Sequence, residues 1–243
     1  MLTGTREERP VESEWQHWTV TTDSSDALLY SQRAYYDERA PDYMDLSKPS
    51  DRKGRGFLPD ELCAELIDEF APIGHVLELA CGSGVCTREI VRHATSVTAV
   101  DGSPRMIERN RAVVGDLKVN YVVADIFAWE PDRTYDAVLF SFWLSHVPPH
   151  RFDDFWGVVR ACFAPGGRVC FIDEDDRGAT NDDVRVVDGI PVARRTLADG
   201  RAFDIVKCFW SATDLEERLR SIGWDVNVRS VGDGFLFGSG QPA

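Results

Sequence analysis

The chain has 243 residues, 43% of them hydrophobic, and a net charge of −14, which is typical of a globular protein and excludes wholesale disorder. The excess of acidic residues disfavours nucleic acids and anionic membranes as partners, because both bind positively charged surfaces. No apolar run reaches the ~18 residues needed to span a bilayer, and the charged N-terminus does not resemble a signal peptide. We therefore expect a cytoplasmic protein without a nucleic-acid or membrane partner, and its oligomeric state stays open.

The first 57 residues differ from the rest of the chain in composition. Residues 1–22 are polar and predict an arm that is ordered only when it docks. A helix is predicted over Asp26–Tyr43, and a polar break follows at Lys48–Gly56. We divide the chain into an N-terminal arm with a capping helix, residues 1–57, and a core, residues 58–243.

Strands and helices alternate through most of the core. Leu62, Leu66 and Phe70 recur at helical spacing and predict an amphipathic helix. The next predicted elements are, in chain order, strand His75–Ala80, helix Gly84–His93, strand Ser96–Asp101, helix Ser103–Val114, strands Val119–Asp125 and Tyr135–Ser141, helix Arg151–Phe163 and strand Arg168–Asp173. This alternation is typical of a parallel sheet with helices on both faces.

The C-terminal part of the chain departs from that alternation. Val192–Leu197 and Ala202–Phe209 flank Asp199-Gly200, a sequence that predicts a two-residue hairpin turn. We interpret residues 180–210, which contain this hairpin, as an insertion that covers the substrate. The remaining predicted elements are a helix opened by a capping box at Thr213–Glu216 and the strands Trp224–Val231 and Gly234–Gly238.

A glycine turn joins the first predicted strand of the core to a helix, between Val76 and Thr87. Gly82 and Gly84 allow a positive φ and a close approach of the backbone to a ligand. Two features disfavour a dinucleotide as that ligand: Thr87 stands at the third glycine position of the GxGxxG motif, and an acidic residue, Glu78, lies inside the strand. A cationic ligand would be attracted by that carboxylate.

Acidic residues also end the next two strands. Asp101 ends the second strand and can accept hydrogen bonds from both hydroxyls of a ribose. Asp125 ends the third strand and can accept from an exocyclic amine. Ile126 and Phe127 would cover one side of a base, and Met106 the other.

With these residues in place, the chain resembles the class I S-adenosylmethionine-dependent methyltransferases. The matching motifs are Glu78-x-Ala-Cys-Gly-x-Gly84, Val100-Asp101 with Ser103-Pro104, Ala124-Asp125, Tyr135-Asp136-Ala-Val138 and Phe163-Ala-Pro-Gly-Gly167. One departure is Ala80, where the commoner first motif has glycine. The resemblance implies a Rossmann-like α/β fold whose seven-stranded sheet has the order 3-2-1-4-5-7-6, with helices on both faces and strand 7, here Gly234–Gly238, antiparallel.

The resemblance also implies a cofactor, S-adenosylmethionine (SAM), which leaves as S-adenosylhomocysteine (SAH). Glu78 and the turn Gly82–Gly84 would hold its methionine part, Asp101 its ribose, and Asp125 with Ile126 its adenine. In similar small-molecule members a tyrosine-rich N-terminal helix closes over cofactor and acceptor. The expected cofactor contacts are Tyr36, Arg39, Glu78, Ala80, Gly82, Gly84, Asp101, Gly102, Met106, Asp125, Ile126, Phe127 and Ser141.

The acceptor is expected beside the loop Ser141–Pro149, because ligands of open α/β sheets bind beyond the carboxyl ends of the strands. His146 in this loop is the candidate catalytic base, since its reference pKa of ~6.5 suits proton removal at neutral pH. The alternative is a histidine that only packs or orients the acceptor. The loop lacks the Asn/Asp-Pro-Pro-aromatic tetrapeptide of amino methyltransferases that act on nucleic-acid bases.

Basic residues concentrate in the hairpin, although the chain is acidic. With a two-residue turn, Arg194, Arg201 and Lys207 share one face and Arg195 faces Asp204, whereas a slip of one residue would exchange Arg194 for Arg195. Three cations on one face favour an anion site, and the alternative is a solvated charged face. The expected substrate contacts are Tyr35, Trp143, His146, Arg194, Arg201 and Lys207.

We expect the protein to need no metal ion. The acidic run Asp173–Asp176 follows the fifth strand, as in catechol O-methyltransferases that bind Mg²⁺, but Ser141-Phe142-Trp143 provides no acid at the end of the fourth strand. We therefore interpret the acidic run as a solvated loop.

The sequence thus predicts a SAM-dependent enzyme that methylates an oxygen of a small anionic molecule, a phosphonate or a carboxylate, in secondary metabolism. The segment from Arg194 to Lys207 adds a weak resemblance to phosphonate O-methyltransferases of antibiotic biosynthesis. One alternative is a phenol, alcohol or amine methyltransferase with His146 as base. The alternatives from other classes are an NAD-dependent dehydrogenase and a ligand sensor without catalysis.

Overall fold

A computed structural model of the protein describes residues 24–43, 58–177 and 183–243. The predicted arm at 1–22 and the predicted polar break at 48–56 lie outside these ranges. Within the ranges, none of the helices combines the length and the apolar character needed to cross a bilayer.

The order of the elements follows the predicted alternation of strands and helices. The helices are α1 (Ser24–Arg39), α2 (Asp60–Phe70), α3 (Val85–His93), α4 (Pro104–Val114), α5 (Phe152–Ala161) and α6 (Ala212–Ser221). The strands are β1 (His75–Leu79), β2 (Ser96–Asp101), β3 (Val119–Val123), β4 (Tyr135–Ser141), β5 (Phe163–Glu174), β6 (Val184–Val187), β7 (Ile190–Thr196), β8 (Ala202–Val206), β9 (Trp224–Val231) and β10 (Phe235–Pro242). Short 3₁₀ turns occupy Ala40–Asp42, Leu144–His146 and Pro149–Arg151.

Seven strands form one sheet in the order β3-β2-β1-β4-β5-β10-β9, in which β10 runs antiparallel to both of its neighbours. This is the predicted order, with β9 and β10 as its sixth and seventh strands. Alternate residues of β1 enter different cores: Leu77 and Leu79 pack with α5 and α6, whereas Val76 packs with α2 and α3. The prediction of helices on both faces is therefore confirmed.

Serine side chains cap the N-termini of α4 and α6. Ser103 caps α4 as predicted, and its Oγ accepts from the Met106 amide at 3.0 Å. The predicted capping box at Thr213 is wrong, because α6 begins earlier and Ser211 caps it. The carboxylate of Glu216 instead accepts from the amide of Val228 in β9, at 3.0 Å, and so ties the helix to the sheet.

The predicted two-residue turn at Asp199-Gly200 is also wrong. Strands β7 and β8 pair Arg194 with Asp204, and the Leu197 amide bonds the Arg201 carbonyl at 2.8 Å, which leaves a three-residue loop. Gly200 supplies the positive φ, +89°, that such a loop requires. Side chains beyond the turn therefore lie one position away from the predicted register.

This register exchanges two arginines, as the one-residue slip would. Arg194 is exposed beside Asp204, and Arg195 is buried opposite Phe203. The hairpin belongs to a separate antiparallel sheet of order β6-β7-β8. Strand β6, which the sequence did not predict, completes this sheet.

Helix α1 bridges the two sheets near the carboxyl ends of the parallel strands. On one side Ser103 donates from its hydroxyl to Asp37 at 2.7 Å. On the other side the amide of Val206 in β8 donates to the side-chain oxygen of Gln32 at 3.1 Å. The helix thus brings Tyr36 to the loops that follow β1, β2, β3 and β4.

Candidate active site

A cavity lies where α1 meets the carboxyl ends of the parallel strands. The expected site residues that line it are Tyr36, Arg39, Ala80, Gly82, Asp101, Gly102, Met106, Asp125, Ile126, Phe127, Ser141, Trp143, His146 and Lys207. Lining residues that sequence reasoning missed include Gln32, Arg33 and Glu174. The expected site residues outside the lining are Glu78, Gly84, Tyr35, Arg194 and Arg201.

The turn after β1 bends through three residues of positive φ. Gly82 has a φ of +50° and Gly84 one of +94°, as their role in a tight turn requires. Ala80 also has a positive φ, 52°. This conformation explains why the commoner form of the motif has glycine there, since a side chain in the left-handed region is strained.

Asn110 of α4 braces this turn, and the sequence analysis did not single it out. Its side chain is fully buried, and its Nδ2 lies 3.3 Å from the carbonyl oxygens of both Cys81 and Gly82 and 2.8 Å from Thr87 Oγ1. Its Oδ1 accepts from the hydroxyl of Tyr121 at 3.1 Å. A buried asparagine opposite two carbonyl groups holds the turn in one conformation.

Glu78 in β1 lies beneath the turn, 1% exposed. Neither carboxylate oxygen has a hydrogen-bond partner within the part of the chain that the structure describes. Burial raises the pKa of Glu78 well above its usual value. A buried carboxyl group without a partner fits a ligand that brings positive charge to this turn.

Asp101 at the end of β2 presents its carboxylate to the cavity. Its two oxygens accept from the backbone amides of Gly82, at 2.9 Å, and of Ser103, at 2.8 Å. Burial raises the pKa of Asp101 to about 6, although these amide bonds oppose the shift. Since each oxygen has two lone pairs, the group can still accept from a pair of hydroxyls.

The residues after β3 form an apolar part of the lining. Ile126 and, on the α4 side, Met106 are buried at 4% and 2% exposure. Asp125 accepts from the Phe127 amide at 3.0 Å and lies 3.6 Å from the guanidinium of Arg33. One carboxylate oxygen of Asp125 therefore already faces a cation on α1.

His146 is buried and is hydrogen-bonded through both ring nitrogens. Its Nδ1 lies 2.7 Å from the carbonyl oxygen of Val206, and its Nε2 lies 2.8 Å from the hydroxyl of Tyr36. Burial, reinforced by Lys207, lowers the pKa of His146 well below its usual value. Such a histidine is a weak base, which weighs against the expectation that it deprotonates the acceptor directly.

Lys207 follows β8 and carries its ammonium group into the cavity wall. The residue is 4% exposed; its Nζ pairs with the carboxylate of Glu174 and donates to Ser145 Oγ at 3.2 Å. Glu174 ends β5 and also lines the cavity. The cavity therefore contains a buried cation together with a carboxylate that partly neutralises it.

The other basic residues of the hairpin lie outside the cavity lining. Arg201 pairs with Asp199 at 2.7 Å and with Glu38 at 3.1 Å, and half of its side chain is exposed. Arg194 is 60% exposed, 3.9 Å from Asp204. Of the three predicted cations, only Lys207 reaches the cavity, because the three-residue turn and these carboxylates hold both arginines at the surface.

Tyr35 also departs from the expectation that it contacts the acceptor. The side chain is 2% exposed and packs against Phe203 of β8, with ring centroids 5.9 Å apart. Its hydroxyl accepts from Arg39 at 2.9 Å. Tyr36, one position further along α1, is the tyrosine that faces the cavity.

The acidic run Asp173–Asp176, whose first two residues end β5, is not the solvated loop that the sequence predicts. Asp173 and Asp175 are 2% and 1% exposed. Asp173 accepts from the amides of Ser145 and Glu174, and Asp175 accepts from the amide and guanidinium of Arg177. Among residues 24–43, 58–177 and 183–243, no three His, Cys, Asp or Glu side chains are arranged to hold a metal ion.

Comparison with known proteins agrees with this geometry. A family described as "Methyltransferase domain" matches residues 76–167. The solved structure of a DhpI–SAH complex shares 40% identity with a TM-score of 0.74, over 88% of this chain and 97% of that chain. A complex of DhpI with SAM and HEP shares 39% identity at the same TM-score, 0.74, over 91% of this chain and all of that chain.

A curated relative matches a smaller share of the chain. The ubiquinone biosynthesis O-methyltransferase of Coxiella burnetii (strain RSA 493 / Nine Mile phase I) is 33% identical over 104 residues, which are 40% of this chain and 42% of that protein. The DhpI structures, in contrast, match over nearly their whole length. This match favours a methyltransferase over the two alternative classes, a dehydrogenase and a ligand sensor without catalysis. This chain belongs to the class I S-adenosylmethionine-dependent methyltransferases and is a SAM-dependent enzyme.

Proposed function

We propose that the protein methylates an oxygen of a small anionic acceptor, a phosphonate or a carboxylate. The observation that carries this proposal is that the cavity wall contains both a buried cation, Lys207, and a weakly basic histidine, His146. Lys207 attracts an ionised acceptor, and an ionised oxygen needs no base before it reacts. A neutral alcohol or phenol would instead need a strong base, which His146 is not.

The residues around the glycine turn are proposed to hold the cofactor. SAM supplies an electrophilic methyl group on a positively charged sulfur when it is bound. Glu78 and the turn Gly82–Gly84 would meet its methionine part, Asp101 its ribose, and Asp125 with Ile126 its adenine. The partnerless carboxyl group of Glu78 and the two amide-oriented oxygens of Asp101 fit these roles.

The chain's own contribution to the reaction is position and exclusion of water. Tyr36 and Arg39 on α1 face the cavity from the side opposite to the strands. A dry site of fixed geometry favours an in-line displacement, because the acceptor oxygen and the methyl carbon are held within reacting distance. Lys207 would hold the acceptor in ground and transition states alike.

Two comparisons support methylation of an oxygen on a small acceptor. DhpI has been solved with SAM and a third component, HEP, and its whole chain matches this one. The curated relative acts on an oxygen, but the match covers only 42% of its length. We further propose a role in secondary metabolism, such as antibiotic biosynthesis, and a location in the cytoplasm, where the six free cysteines would stay reduced.

The test compares two cationic residues, Lys207 directly after β8 and Arg194 on the neighbouring strand β7. Lys207→Met removes the buried ammonium group, and Arg194→Gln removes an exposed guanidinium outside the cavity. With ethylphosphonate as acceptor, Lys207→Met should lower kcat/KM by a factor that corresponds to about 1.5–3 kcal/mol of transition-state stabilisation. Most of the loss should be in KM, because the ionic hydrogen bond is formed in the ground state and in the transition state alike. Arg194→Gln should match the wild-type enzyme. Equal activity of Lys207→Met and wild type would overturn the proposal.

A further inference from the structure

A chain of three groups fixes where the protons of the cavity wall lie. The carbonyl oxygen of Val206 can only accept a hydrogen bond, so the Nδ1 of His146, 2.7 Å away, must carry a hydrogen. Burial, reinforced by the charges of Lys207 and Arg195, lowers the pKa of His146 well below its usual value, and the ring is therefore neutral. A neutral imidazole with hydrogen on Nδ1 has a lone pair on Nε2.

The hydroxyl of Tyr36 lies 2.8 Å from that lone pair and must donate its hydrogen to it. Within the described part of the chain, the hydroxyl has no other hydrogen bond. The oxygen of Tyr36 therefore offers the cavity lone pairs and no hydrogen. A ligand group that meets it has to bring its own hydrogen.

Gln32 makes this arrangement rigid. Its side-chain oxygen accepts from the amide of Val206 at 3.1 Å, and its side-chain nitrogen lies 3.4 Å from the carbonyl oxygen of His146. Gln32 thus contacts the backbone of both His146 and Val206, the two residues that the Nδ1 hydrogen bond joins. These contacts hold the imidazole that accepts from Tyr36, which is on the same helix as Gln32.

Tyr36 stays protonated in these surroundings. Burial raises the pKa of Tyr36 well above its usual value, and the tyrosines at 35 and 43 add to this effect. The charged groups that face it are Arg39 on its own helix and Arg195 on β7. Lys207 and Glu174 share the cavity with it, from the ends of β8 and β5.

We propose that the cavity selects the acceptor as a singly protonated oxyanion, whose hydroxyl donates to Tyr36 while an ionised oxygen faces Lys207. This rests on the proposed function and narrows it. A phosphonate carries both groups on one phosphorus atom in its monoanion. A carboxylate at neutral pH has no hydrogen to donate, so it is the poorer acceptor of the two.

The step balances without a base. An ionised phosphonate oxygen forms a bond to the methyl carbon of SAM, the bond from that carbon to sulfur breaks, and the electron pair stays on the sulfur of SAH. The hydrogen on the second oxygen remains there during transfer, bonded to Tyr36. The neutral monoester formed loses this proton to water after release.

The test measures binding of ethylphosphonate to the SAH complex by calorimetry between pH 6 and 9. The second pKa of the probe is determined by ³¹P NMR in the same buffer. For the wild-type protein the Kd should rise about tenfold per pH unit above that pKa, because only the monoanion binds. Tyr36→Phe should lose this rise, and Tyr30→Phe, on an exposed part of α1, should keep it.

Any other group that changes charge in this range is present in both the wild-type and the Tyr36→Phe protein, so the difference between their two profiles isolates Tyr36. A wild-type Kd that is constant or falls as pH rises overturns the inference, and so does an unchanged profile in Tyr36→Phe. If ethylphosphonate is methylated with SAM in that case, the proposed function stands by itself. If binding shows the expected pH dependence but no methyl ester of ethylphosphonate forms with SAM, the proposed function is overturned instead.

A second measurement does not depend on a cavity variant. In ¹⁵N NMR spectra of the wild-type protein, His146 should show the form with hydrogen on Nδ1 from pH 6 to 9, with the resonance assigned by its loss in His146→Asn. A doubly protonated ring, or hydrogen on Nε2, would contradict the proton positions and overturn the inference.

Discussion

Asn110 lies so close to Gly84 that a β-carbon on Gly84 would stand 2.9 Å from the Asn110 side-chain oxygen. The same asparagine donates to the carbonyl groups of the turn from its nitrogen. The cofactor turn and α4 are therefore packed as one unit. A side chain at residue 84 would displace Asn110, and loss of the Asn110 amide would remove hydrogen bonds from the turn.

Two substitutions in the turn should act in opposite directions. Gly84→Ala introduces strain at a φ of +94° and a clash with Asn110, and should lower the free energy of unfolding by about 1–3 kcal/mol. Ala80→Gly removes left-handed strain at a φ of 52°, and should raise it by up to about 1 kcal/mol after the entropy cost of glycine. Urea denaturation measures both. A stabilised Gly84→Ala would contradict the described turn.

Asn110→Ala should weaken SAM binding and lower the free energy of unfolding by about 1–3 kcal/mol, because the buried carbonyl groups of Cys81 and Gly82 lose their donor. Asn120→Ala, an exposed asparagine on β3, is the matched control. Calorimetry with SAH and urea denaturation give the two readouts. Equal behaviour of the two variants would show that Asn110 does not brace the turn.

The sheet order followed from the resemblance to the class I methyltransferases. Local patterns were sufficient to predict the Ser103 cap and the cofactor turn, because both depend on residues close in sequence, such as the strand, turn and helix from Val76 to Thr87. The hairpin register failed because Asp199-Gly200 is compatible with two-residue and three-residue loops alike. Only pairing along the whole of β7 and β8 decides between them.

The proton chain of the cavity could not be predicted, because Tyr36 and His146 are 110 positions apart. Burial of the acidic run was missed for a similar reason. Asp173 is stabilised by a backbone amide of the loop after β4, and sequence patterns do not show such a partner. Asn110 gave no signal beyond being one polar residue on the inner face of a helix.

The affinity for SAM should depend on pH through Asp101. Its pKa is raised to about 6 by burial, so the carboxylate is ionised at pH 7 and becomes protonated as the pH falls below 6. Protonation removes charge and lone pairs from the ribose site, and the Kd should rise about fivefold from pH 6 to pH 5. Asp101→Asn should bind weakly with little change over this range. A constant wild-type Kd would exclude Asp101 as a ligand.

Activity should survive treatment with a chelator. The two buried acids around the end of β5, Asp173 and Asp175, are hydrogen-bonded to backbone amides and to Arg177, and β4 ends without an acid. The enzyme is assayed after dialysis against EDTA, with and without added Mg²⁺. Loss of activity that Mg²⁺ restores would assign a metal to this acidic run.

The account depends most on the charge of the acceptor, and one labelling experiment tests it directly. The protein is incubated with SAM that carries a trideuterated methyl group, together with ethylphosphonate or a neutral alcohol of similar size in equal amounts, and the masses of the products are measured by mass spectrometry. The account predicts a trideuteromethyl ester from the anion and little or no product from the neutral compound. Equal labelling of both compounds, or labelling of the neutral one alone, would contradict it.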